Sequence, residues 1–115
     1  MCLDKLKQFP VKKNYGWKVF VKEGNGLYPM YRSHGNTPFP VNEWHTDKRN
    51  LQISLVFDEA YRTGFHLFYL KRDARAYALN HETIRKTYFR GIVTTGTQAS
   101  YHAVVAREIY IEDKQ

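Results

Sequence analysis

Residues 64–78 read GFHLFYLKRDARAYA. Phe65 to Phe68 is a short run of large side chains with one histidine in it, as in a strand. Leu70, Ala74, Tyr77 and Ala78 then fall at helical spacing and make one apolar stripe. Lys71, Arg72 and Arg75 fall mostly on the opposite side. The stretch therefore predicts a strand running straight into a short helix over Lys71 to Leu79. A strand–helix step this compact means an α+β domain, with His66 on the strand and a cationic helix close by.

The flanking segments read mainly as strands. Trp17 to Val21 (WKVFV) alternates as a half-buried strand does. Glu23-Gly24-Asn25-Gly26 is a turn signal, with Asn25-Gly26 suited to a type I′ geometry. Leu27 to Arg32 is the expected return strand, and Pro29 assigns it to an edge or a bulge. Ser33 to Asp47, with Gly35, Pro38 and Pro40, reads as loop. Leu51, Ile53, Leu55 and Phe57 alternate as a further strand, and Asp58 to Thr63 returns to loop. Ile84 to Thr94 and Tyr101 to Ile111 form an expected antiparallel hairpin, turning at Thr95 to Gln98. Residues 1–13 read either as a basic arm or as one helical turn seeded by Leu3 and Leu6 and stopped by Pro10. The sum is a twisted, mostly antiparallel sheet of about five or six strands with one main helix. The expected core is Phe20, Phe65, Leu67, Leu70, Ala74, Tyr77, Phe89, Val93, Val105 and Ile109.

At 115 residues the chain is expected to be one domain, residues 1–115. Hydrophobic content of 43% and aromatic content of 16% exclude general disorder. The single cysteine, Cys2, cannot make an internal disulfide, and no apolar run is long enough for a membrane span. The expectation is a soluble, cytoplasmic protein with no membrane segment. The formal charge of +7 favours an acidic partner: a nucleic acid, a nucleoprotein or an acidic host protein.

Cations and aromatics interleave along Lys12, Lys13, Tyr15, Trp17, Lys18, Phe20 and Lys22, and again along Lys86, Tyr88, Phe89 and Arg90. Lysine and arginine neutralise phosphates while aromatic rings stack bases. The expected binding set is Lys12, Lys13, Lys18, Lys22, Arg72, Arg75, Lys86, Arg90 and Tyr28. Glu43-Trp44-His45 with Asp47 is dense in potential ligands but has no metal-site spacing, so no metal is expected. There is no nucleophile elbow and no glycine-rich phosphate loop, so no cofactor is expected either. Glu108, in a strand next to Arg107, is either paired with an arginine or functional.

Two resemblances arise from these residues. Trp17-Lys18-Val19-Phe20, Leu27-Tyr28, Gly64-Phe65-His66-Leu67-Phe68, Asp73-Ala74, Tyr77-Ala78, Gly91 to Gln98 and Val104-Val105-Ala106-Arg107-Glu108 together resemble a family of short uncharacterised phage and mobile-element proteins. That resemblance implies a phage or mobile-element context, and by analogy with small phage proteins a host defence or regulatory component as partner. Gly64, Ala74, Tyr77 and Ala78 also resemble a strand–helix segment of ADP-ribosyltransferase-like folds. The likeness places His66 where a nicotinamide-stacking tyrosine stands, with Arg32 as the first-strand cation and Glu108 as the acid. It implies an NAD-like pocket near His66, Tyr28, Arg32 and Glu108. The residues themselves lead first to a non-enzymatic binding protein, with an enzyme or nucleotide-binding domain second and an assembly subunit third.

Overall fold

Strand-forming alternation accounts for most of this chain. The computed structural model describes residues 3–23, 26–29, 39–48, 52–54, 60–79 and 82–112. The elements are β1 (Lys5–Leu6), β2 (Tyr15–Glu23), β3 (Gly26–Pro29), β4 (Trp44–Thr46), β5 (Gln52–Ser54), β6 (Ala60–Arg62), β7 (Phe65–Phe68), α1 (Lys71–Tyr77), β8 (Glu82–Gln98) and β9 (Tyr101–Ile111). The step expected from residues 64–78 is present as β7 followed by α1. The strand count is larger than expected: seven strands share the main sheet, and β5 and β6 pair separately. The excess comes from two- and three-residue strands at Lys5, Trp44 and Ala60, which are too short to show a period in sequence.

The main sheet closes on itself. β2 pairs with β8, β8 with β9, β9 with β7, and β7 returns to β2 through Trp17 opposite Phe68, all antiparallel. The long strand β8 makes this closure possible by bending. Gly91 sits at φ 69°, a conformation a Cβ disfavours, and the β8–β9 register shifts between Ile92 and Thr94. β3 extends β2, β4 extends β9, and β1 lies against the far end of β8.

Two expected boundaries move. The hairpin of β8 and β9 turns at Ala99-Ser100, both at positive φ, and Thr95 to Gln98 remain strand. Gly96 is used for close approach: a Cβ there would meet the carbonyl oxygen of Lys5 and come within 2.8 Å of the Leu3 side chain. The segment expected as an arm or helical turn is instead laid onto the sheet. Leu3 is buried, and Lys5 and Leu6 pair with Thr97 and Gly96. The β2–β3 pairing fits the expected hairpin, although its turn residues Gly24 and Asn25 lie outside the described residues.

Phe20, Phe65, Leu67, Ala74, Phe89, Val105 and Ile109 are buried as expected. Leu70, Tyr77 and Val93 are only half-buried. The core also takes Leu3, Val19, Leu27, Tyr61, Phe68, Val104 and Ile111. α1 clamps down through Ala74, 0% exposed, onto Val19 and Phe68. The Tyr77 ring packs 4.9 Å from that of Phe68, and its hydroxyl accepts a hydrogen bond from Gln98 Nε2 at 3.1 Å.

Candidate functional site

Side chains on a strand alternate between faces, so residues opposed across neighbouring strands share a face. Tyr15 of β2 is opposite Tyr88 of β8, Tyr88 is opposite Tyr110 of β9, and Tyr110 is opposite Trp44 of β4. Four aromatic residues from four adjacent strands therefore stand in one transverse row. Successive ring centroids are 6.1, 6.2 and 5.6 Å apart, with interplanar angles of 68°, 63° and 55°. The tyrosines are half-buried and Trp44 is 39% exposed.

Cations flank this row. Lys86 Nζ lies 4.5 Å from the Tyr15 ring centroid and 5.2 Å from that of Tyr88. Lys13 Nζ reaches the Tyr15 and Tyr69 rings at 4.8 and 4.5 Å. The Arg90 guanidinium sits 3.9 Å from the Trp44 ring centroid.

Arg90 is held there by Glu108. Its Nε and Nη2 donate to the two carboxylate oxygens, each at 3.1 Å, and Thr46 Oγ1 donates to Glu108 Oε2 at 3.1 Å. These three residues are also opposed in register, forming a second row beside the first. The Arg90 hydrogen bonds, supported by that from Thr46, hold the Glu108 carboxyl below its ordinary value. Hydrogen bonding to the Tyr88 side chain raises Lys86 above the usual lysine value, so it remains cationic well past neutral pH.

The other expected binding residues are spread elsewhere. Lys18 is buried, and its ammonium donates to the His66 carbonyl oxygen at 3.1 Å. Lys12 is exposed and its backbone N–H donates to the Tyr69 hydroxyl. Lys22 is exposed near the opposite end of β2 from Tyr15, and Tyr28 is half-buried on β3. Arg72 and Arg75 stand on the exposed side of α1, where Arg72 reaches Asp73 at 3.7 Å. The structure thus brings Lys13, Lys86 and Arg90 to one ring-lined surface, with Lys12 adjoining it through Tyr69, and leaves Lys18, Lys22, Tyr28, Arg72 and Arg75 apart from that row.

The residues placed by the ADP-ribosyltransferase likeness differ in surroundings. His66 is 5% exposed, and its Nε2 lies 2.9 Å from the Tyr61 hydroxyl, which in turn accepts from the Leu3 backbone N–H. Glu108 lies on the outer rows just described. Arg32 lies outside the described residues. Arg107, which precedes Glu108, turns instead to the carbonyl oxygens of Thr63 and Asp47. Among the described residues no three His, Cys, Asp or Glu side chains converge as a metal site would require. No helix among them is long and apolar enough to cross a membrane.

None of the row's four rings was in the expected binding set; Tyr15 and Tyr88 stood in the interleaved runs, whereas Trp44 and Tyr110 stood in neither. Their signal lies in cross-strand register, which no local pattern reveals. Searches of family models, curated proteins and solved structures find no match to this chain.

Proposed function

We propose that this chain is a non-enzymatic binding protein of the phage or mobile-element type, and that its partner is a nucleic acid, free or within a nucleoprotein. The row Tyr15–Tyr88–Tyr110–Trp44, flanked by Lys13, Lys86 and Arg90, is the observation that carries this reading. Such a surface offers a nucleic acid both things it can use, cations for phosphate and ring faces for bases. The +7 formal charge adds long-range attraction for a polyanion.

Salt-titrated binding to DNA and RNA tests the proposal. Affinity should fall linearly in log–log form as salt rises. With about three phosphates contacted on a single strand the slope should be about −2. Absence of binding to either polymer at low salt would remove the nucleic-acid reading and redirect the search to an acidic host protein, for which capture of a stoichiometric partner is the measurement.

A further inference from the structure

Resting on that reading, we infer that the row takes unpaired bases: its ligand is a single strand of DNA or RNA laid across the sheet from Tyr15 towards Trp44. The spacing is the first reason. Bases in a duplex advance about 3.4 Å per step along each strand. The row's centroids advance 6.1, 6.2 and 5.6 Å. Bases seated on successive rings must therefore be separated from one another, which pairing and stacking in a duplex prevent and a single strand permits.

Charge is the second reason. A duplex is gripped chiefly through its phosphates. Here the three cations share the surface with Glu108, which is paired with Arg90, and Lys86 also feels Glu112. Three cations, two of them so offset, are a weak grip on a duplex, whereas contact of bases with the half-exposed rings adds a contribution that does not depend on charge. The third reason is the Trp44 end. Both Arg90 nitrogens that face Glu108 are engaged, and Glu108 is itself held by Thr46. The guanidinium plane is thereby fixed close to the Trp44 ring. An unpaired base stacks on such a plane as it does on an aromatic ring.

The experiment uses the full chain and fluorescently labelled oligothymidylate and oligouridylate of about twelve nucleotides, a size one small domain covers. A duplex of the same length is the comparison, all read by anisotropy at about 50 mM salt. Single strands should bind about tenfold or more tightly than the duplex. Tyr88→Leu and Trp44→Leu should each weaken single-strand binding roughly tenfold, while Tyr88→Phe should preserve it. Trp44→Leu, at an exposed position, keeps the test open if Tyr88→Leu fails to fold. Equal or tighter duplex binding would overturn this inference and leave the nucleic-acid reading standing. Unchanged affinity in folded leucine variants would overturn it too. Failure of every oligonucleotide to bind at low salt would instead overturn the reading on which it rests.

Discussion

The outward face of β2 and β8 has two regions with opposite fates. Around Val19 and Phe68 the sheet is covered: Ala74, Tyr77 and Ala78 of the α1 region, with Trp17, Ile84 and Tyr101, enclose a packed cluster. Around Tyr15 and Tyr88, on the same face and only a few residues along the same strands, no helix among the described residues packs and the rings remain half-exposed. Both regions are rich in aromatic side chains. The covered one is explained by stability, because burial of its rings and methyls drives folding. The open one keeps its aromatic surface partly in water and surrounds it with cations, which stability does not require. That contrast supports the proposal that the row binds and the helix side serves as scaffold.

Substitutions can break this contrast at either end. The largest effect is expected in the covered region: Phe68→Ala, removing a fully buried ring, should lower stability by about 3–5 kcal/mol in chemical denaturation. Tyr77→Ala should cost less, about 2 kcal/mol, because this ring is half-buried and its hydroxyl bond to Gln98 is part-buried. Gly96→Ala should cost about 1–3 kcal/mol, since the added Cβ forces β1 away from β8, and should expose the first residues to limited proteolysis. In the open region Trp44→Leu and Tyr110→Leu should change stability by less than about 1 kcal/mol, while the proposed function expects them to weaken oligonucleotide binding. A loss of several kcal/mol at Tyr110 would place the row with the core and dissolve the contrast.

The smallest effect concerns pH. Because the folded-state pKa of Glu108 is depressed, the stabilisation from its contact with Arg90 is full above the ordinary carboxylate value and is lost as pH falls through the lowered one. An NMR titration of the Glu108 carboxyl carbon should give a midpoint below the reference of 4.5. In Arg90→Ala the midpoint should move back up. An unshifted midpoint in the native protein would mean that Arg90 is not held against Trp44.

Local chemistry made part of this structure legible. The strand–helix step at residues 64–78 follows from helical spacing of Leu70, Ala74 and Tyr77, and the long hairpin follows from alternation along β8 and β9. Lys13, Lys86 and Arg90 were recognisable because they alternate with rings in the chain. Lys18 belongs to the same alternation, yet it points the other way from Tyr15 and Trp17 and ends buried beside His66. Period alone gives two faces and cannot say which one faces solvent. The turn at Ala99-Ser100 was hidden because neither residue advertises positive φ, whereas Gly96 advertises a turn and serves a close contact. Trp44 and Tyr110 enter the row through pairings of β4 and β8 with β9, and such long-range register leaves no local trace.

An aromatic-resolved NMR titration with oligothymidylate tests the central claim most directly, since it reads both regions at once. The rings of Tyr15, Tyr88, Tyr110 and Trp44 should shift in a saturable way while those of Phe68 and Tyr77 stay in place. Shifts confined to the helix side, or spread evenly over both regions, would contradict the assignment of binding to the open row.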